Sequence, residues 1–112
     1  MKQLVLIFGK INPTIQDKIS DCNSLKLDML NDPVFDKIPP ICKDLNMEIT
    51  ISSDEGYLVV DDDGYGNPLT YCEPEEMALI LLESKKLTDW DKNIIFFIRN
   101  LPDDVFLIPY WL

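Results

Sequence analysis

The stretch Met47-Glu48-Ile49-Thr50-Ile51-Ser52-Ser53-Asp54-Glu55-Gly56-Tyr57-Leu58-Val59-Val60 decides the fold class. Met47, Ile49 and Ile51 alternate with Glu48, Thr50 and Ser52, the period of two that sends successive side chains to opposite faces of a strand. Ser53, Asp54, Glu55 and Gly56 interrupt the alternation, and an apolar run resumes from Tyr57 to Val60. The pair reads as a β-hairpin, with Gly56 supplying the positive φ angle that a side chain would oppose.

Toward the C-terminus, Asp63-Gly64 and Gly66-Asn67-Pro68 mark a second turn, which leads to a short strand at Leu69 to Tyr71. Pro74 with Glu75 and Glu76 opens a helix whose carboxylates suit the positive end of its dipole, and Lys85 and Lys86 place basic charge at the other end. Met77, Ile80 and Leu81 supply its apolar face. Thr88-Asp89-Trp90-Asp91 caps a second helix, in which Trp90, Ile94, Phe97, Ile98 and Leu101 recur at helical spacing. Ile95 and Phe96 widen that stripe, so burial on more than one side is expected. Leu101-Pro102 ends the helix, and Val105 to Ile108 reads as a last strand whose end Pro109 places at a sheet edge or outside the ladder.

Toward the N-terminus, the continuous apolar run Leu4 to Phe8, closed by Gly9, has the character of a central strand buried on both faces. Asn12-Pro13 has the form of a helix start, with Ile15, Ile19 and Cys22 spaced as one face of a short helix. Leu25, Leu27 and Met29 alternate with Lys26 and Asp28, as in a half-exposed strand. Asp32-Pro33 repeats the cap-then-proline signature, and Pro39-Pro40 limits Val34 to Leu45 to one or two short helical turns. The whole predicts a single globular domain over residues 1–112. Its class is α+β, an antiparallel or mixed sheet containing the hairpin, with the two C-terminal helices packed on one face.

The charge is distributed unevenly. Eleven acids lie between Asp44 and Ser84 without a single Lys or Arg, whereas the segment before holds six bases and five acids and the segment after holds four of each. All of the formal net charge of −10 therefore belongs to the middle. With 46% hydrophobic residues, the chain has enough apolar surface to order itself despite that charge. Three widely spaced cysteines, Cys22, Cys42 and Cys72, form no C-x-x-C pair and are expected as free, buried or half-buried thiols. The apolar run near the N-terminus is shorter than the roughly 7–15 residues of a secretory core. No run approaches the roughly 20 apolar residues of a membrane span. A cytoplasmic location is the expectation.

The sequence has no histidine. That removes Ser-His and Cys-His nucleophile pairs, histidine general bases and every His-containing metal site. Gly64 and Gly66 sit among aspartates, where a phosphate would be repelled. Asp61-Asp62-Asp63-Gly64-Tyr65-Gly66-Asn67 partly matches a twelve-residue calcium loop begun at Asp61. Tyr65 then falls at position five and Cys72 at position twelve, where a bidentate glutamate belongs. No catalytic residue, metal site or cofactor is assigned, and no enzyme activity is expected.

A folded acidic face calls for a basic protein partner and disfavours nucleic acid and anionic membranes. The candidate contact residues are Asp54, Glu55, Tyr57, Asp61, Asp62, Asp63, Tyr65, Glu73, Glu75 and Glu76, the tyrosines because Tyr is enriched where interfaces concentrate their energy. Tyr110-Trp111-Leu112 reads as core closure. In its small size, acidity, single domain and lack of catalytic residues, with Asp54, Glu55, Asp61, Asp62 and Asp63 on a turn, the chain resembles bacterial immunity proteins. These belong to polymorphic-toxin and contact-dependent growth-inhibition systems. The resemblance implies tight neutralisation of a cognate toxin, often a nuclease, by covering its active or substrate-binding surface. The alternatives are a nucleic-acid mimic that blocks a DNA- or RNA-binding protein, and a small enzyme or a subunit of a larger assembly.

Overall fold

A computed structural model of the chain describes residues 2–10, 19–53 and 56–112. Among the described residues, seven strands and two helices follow one another as β1 (Gln3–Lys10), β2 (Ile19–Leu30), β3 (Lys43–Asp44), β4 (Ile49–Ser53), β5 (Gly56–Val60), β6 (Thr70–Tyr71), α1 (Pro74–Leu81), α2 (Asp89–Arg99) and β7 (Val105–Trp111). Two 3-10 turns, Pro33–Lys37 and Pro39–Ile41, lie between β2 and β3. The fold is α+β, as expected.

The main sheet has the order β5-β4-β2-β1-β7, and β3 and β6 form a separate antiparallel pair. Strand β2 is long because it serves two neighbours. Its first part runs parallel to β4, with Ile19 opposite Ile49 and Cys22 opposite Ile51, and the rest runs antiparallel to β1. All other pairings in the sheet are antiparallel. The sheet is therefore mixed.

Strand β1 lies inside the sheet and is buried on both faces, as its unbroken apolar run predicts. Leu4 and Leu6 join Leu27, Met29, Leu107 and Trp111 under Met77, Ala78, Leu81, Ile94, Ile95 and Ile98 of the two helices. On the other face Ile7, Cys22, Ile49, Phe106 and Ile108 pack with Leu45 and Leu69, which flank the small β3–β6 pair.

Local signatures account for most element ends. Asp32 caps the first 3-10 turn by accepting from the Val34 N–H at 3.0 Å, and its second oxygen accepts from the Ser84 hydroxyl at 2.6 Å, clipping that turn to the chain beyond α1. Thr88 and Asp91 form a reciprocal capping box at the start of α2. Gly56 has a φ of +118°, the conformation that the hairpin reading requires.

Several sequence expectations are corrected. Ile19 and Cys22 lie in β2 and not on a helix; the proposed start at Asn12-Pro13 and Ile15 lie outside the described residues. Strand β7 continues through Pro109 to Trp111, which an edge strand tolerates because one side of it needs no ladder donors. Helix α1 ends at Leu81, so Lys85 and Lys86 fall beyond its last turn. On α2, Ile94, Ile95 and Ile98 are buried, yet Trp90 is half exposed and Phe96 is 71% exposed. Trp90 is held at the surface by its indole N–H, which donates to the Lys26 carbonyl at 2.8 Å.

Candidate functional site

The hairpin β4–β5 sets the position of the acidic residues. Its register pairs Ile49 with Val60 and Ser53 with Gly56, and one further step outward places Glu48 opposite Asp61. Beyond it the chain folds into a second, tighter excursion. Asp62 bridges to Pro68, the Asp63 N–H donates to the Asn67 carbonyl at 2.9 Å, and the Leu69 N–H donates to the Asp61 carbonyl at 3.3 Å. Asp61 and Asp62 are exposed on the stem of this excursion, and with Glu48 and Asn46 they line an open hollow of about 310 Å³. Glu48 is the site residue that the sequence reading missed, although the hairpin register alone would have placed it beside Asp61.

Asp63 has a different task. Its Oδ1 accepts from the backbone N–H groups of Tyr65 at 2.8 Å and Asn67 at 3.0 Å, so the carboxylate holds the turn together. The turn is also anchored to the far edge of the sheet: the Gly64 N–H donates to the Trp111 carbonyl at 2.8 Å. A Cβ at Gly64 would lie 2.6 Å from that same oxygen, a close approach that only glycine permits. Tyr65 stands exposed beside a neighbouring cavity that includes Lys2, Cys42 and Trp111. The Lys2 ammonium sits 4.3 Å from the centre of the Trp111 ring.

Strand β5 is the outermost strand of the sheet on this side, and no described strand pairs with its outer edge. Tyr57 is 74% exposed, Leu58 56% and Val59 55%, so apolar groups project from both faces of an open strand edge. The opposite edge is bridged at one point, where Cys72 exchanges two backbone hydrogen bonds with Leu107 of β7 at 2.8 and 2.9 Å. A natural sheet edge is usually blunted by charge, proline or cover. Here the charges lie immediately beyond the strand, at Asp61 and Asp62.

The remaining predicted contact residues lie elsewhere. Glu73 and Glu75, at the start of α1, line a separate shallow hollow with Arg99 and Asp103. Glu76 is exposed on α1 near Cys42 and Cys72. Asp54 and Glu55 fall outside the described residues. Tyr57, Asp61, Asp62 and Tyr65 thus belong to the hairpin and its extension, whereas Glu73, Glu75 and Glu76 belong to the helix. Trp111 is buried against Phe35, with ring centres 5.1 Å apart, so the aromatic C-terminal end does close the core; Leu112 itself is exposed.

Among the described residues, the ion pairs are Lys10–Asp104 and Lys37–Glu83. None of the carboxylates around the β5 edge is neutralised by a described base. Also among the described residues, no group of three or more His, Cys, Asp or Glu side chains converges as metal ligands, and no helix is long and apolar enough to cross a membrane. Comparison with known protein families, with curated proteins and with solved structures returns no match.

Proposed function

We propose that the protein is a binding protein that presents the open β5 edge and its acidic rim to a basic protein partner. The reading in its sharper form is an immunity protein that neutralises a cognate toxin by covering a basic substrate-binding surface. What carries the reading is one juxtaposition: exposed Tyr57, Leu58 and Val59 on a strand edge that no described strand covers, followed directly by Asp61 and Asp62, which no described base neutralises, with Glu48 opposite. A partner strand that pairs with β5 gains main-chain hydrogen bonds, the aromatic and aliphatic side chains supply buried contact, and the carboxylates draw in lysines and arginines. The same negative rim opposes nucleic acid and anionic lipid.

The test uses the native cell as the source of partner and three forms of the protein as bait: wild type, Glu48→Gln/Asp61→Asn/Asp62→Asn, and Tyr57→Ala. Asp63 is left intact because it holds its turn. A partner captured by wild type is then measured by surface plasmon resonance at two salt concentrations. Removing the rim charges should slow association and flatten its salt dependence, since exposed charges chiefly steer encounter. Tyr57→Ala should accelerate dissociation by roughly tenfold or more, as expected for a truncated aromatic anchor. Identical kinetics for all three forms would place the interface elsewhere, and catalytic turnover by the isolated protein would favour the enzyme alternative.

A further inference from the structure

We propose that Cys42 and Cys72 form a thiol–disulfide exchange site, which reacts with a low-molecular-weight disulfide and closes to an intramolecular bridge. This inference stands independently of the binding reading. The geometry comes from the small β3–β6 ladder. Lys43 pairs with Tyr71 and Asp44 with Thr70, so the next antiparallel step sets Cys42 directly opposite Cys72. The backbone N–H and C=O of Cys72 both engage Leu107, on the side away from Cys42. The two cysteines therefore face each other as a non-hydrogen-bonded pair, the type in which Cα atoms stand about 4.5 Å apart. That spacing lies inside the roughly 4.4–6.8 Å range that a disulfide spans. The Cys42 thiol donates to the Ile38 carbonyl at 3.2 Å, a bond whose proton is given up when the thiolate forms.

The two sulfurs differ in access and in acidity. Cys42 is half-buried and lines a cavity of about 390 Å³ with Lys2, Ile38, Thr70 and Trp111, whereas Cys72 is buried behind it. Hydrogen bonds from Cys72 and Thr70 stabilise a thiolate at Cys42 and lower its pKa, against the opposing effects of burial and of the Glu76 charge. Donating to Cys42, together with burial, raises the pKa of Cys72. One thiol is thus the accessible nucleophile and the other a proton-bearing partner opposite it across the ladder. Cys22 is fully buried in the cluster on the other face of the sheet and takes no part.

In the first step the Cys42 thiolate attacks one sulfur of a disulfide RSSR; a Cys42–SR bond forms and RS⁻ leaves, taking up a proton from solution. In the second, Cys72 gives up its proton, its sulfur attacks the Cys42 sulfur, and the second RS⁻ leaves and is protonated. The protein loses two electrons and two protons, and one RSSR becomes two RSH. The bridge would join the segment after the 3-10 turns to the residue that follows β6, fixing one wall of the cavity beside which Asp63 and Tyr65 stand.

The experiment treats the folded full chain with oxidised glutathione, quenches with iodoacetamide, and reads intact mass and peptide maps. Two of the three thiols should be lost, with Cys42 and Cys72 recovered in one bridged peptide and Cys22 left reduced. In Cys72→Ser the reaction should stop at a glutathionyl adduct on Cys42. In Cys42→Ser thiol loss should slow by roughly tenfold or more, because the remaining pair of thiols is buried. Circular dichroism of both variants checks that they fold, and the wild-type peptide map decides the matter even if one does not. Three persisting thiols, a bridge that includes Cys22, or a bridge between two chains would overturn the proposal.

Discussion

Asp91 is the sharpest point at which to perturb the fold. Its side chain is fully buried at the start of α2, where Oδ1 accepts from the Asp28 backbone N–H of β2 at 2.7 Å and Oδ2 accepts from the Thr88 N–H at 3.3 Å. The carboxylate therefore completes the capping box and also rivets the helix to the sheet. Asp91→Ala leaves both donors without this acceptor. A hydrogen bond to a charged group contributes about 1.5–3 kcal/mol, and the short bond to Asp28 belongs at the upper end of that range. With the long bond to Thr88 well below it, the expected loss is about 3 kcal/mol. For a domain of this size, roughly 4 °C per kcal/mol makes that a fall in Tm of about 12 °C. Thr88→Ala removes the conventional cap together with the hydrogen bond that the Thr88 hydroxyl donates to the Asp28 carboxylate at 2.8 Å, and because that bond is exposed the change should cost about 1–2 kcal/mol. Urea unfolding followed by circular dichroism measures both, and an unchanged m value certifies that the denatured state is not the cause. If Asp91→Ala cost less than about 1 kcal/mol, the bond to the Asp28 N–H would be contributing nothing and the reasoning would fail.

Two further outcomes follow from the geometry, beside those already stated for the binding edge and the thiol pair. Gly64→Ala should cost roughly 1–3 kcal/mol, because the added methyl meets a backbone oxygen that is itself hydrogen-bonded and cannot yield as a flexible side chain would. Amide chemical shifts of Asp63, Tyr65 and Asn67 should move with it, and a cost under about 0.5 kcal/mol would show that the turn gives freely. The thiol pair should also make stability depend on pH. Between the lowered pKa of Cys42 and the ordinary thiol value of about 8.5, the unfolded chain holds both protons and the native one only the Cys72 proton, so stability rises with pH. Above that value the unfolded chain has lost both while Cys72 keeps its own, so stability falls. Denaturation curves between neutral and alkaline pH should show this shallow maximum in wild type and lose it in Cys42→Ser/Cys72→Ser; a maximum that survives in the double variant would refute the assignment.

What the sequence made legible was what is decided locally. The hairpin followed from alternation and one glycine, the start of α2 from Thr88 and Asp91, and the short turns from Asp32-Pro33 and Pro39-Pro40. The reading failed where distant chain decides. Ile19 and Cys22 have helical spacing yet lie in β2, whose register shifts between them to meet β4, so their separation is not a simple strand period. Asp91 is readable as a cap but not as the acceptor for a strand some sixty residues away. Phe96 and Trp90 extend the apolar stripe of α2 yet stay exposed, and no local pattern reports which flank of that stripe the rest of the fold covers. Of the candidate site, Tyr57, Asp61, Asp62 and Tyr65 were found from charge and turn chemistry. Glu48 required the register, and the separation of Glu73, Glu75 and Glu76 from the hairpin required the path of the chain through β6 and Cys72.

Strand β7 pairs with β1 along its length, and its alternate residues enter both clusters: Leu107 and Trp111 under the helices, Phe106 and Ile108 on the other face. Neither half of the core is complete without it. A contact that joins residues 3–10 to residues 105–111 demands closure of almost the whole chain before it returns any stabilisation, which places folding among the slower, non-local cases, in the range of milliseconds to seconds. During synthesis the hairpin and helices can form as they emerge, but the central strand must wait with one long edge unsatisfied until β7 has left the ribosome. That interval, and not the native state, is when the chain is most exposed to misassociation and to chaperones that bind extended apolar segments.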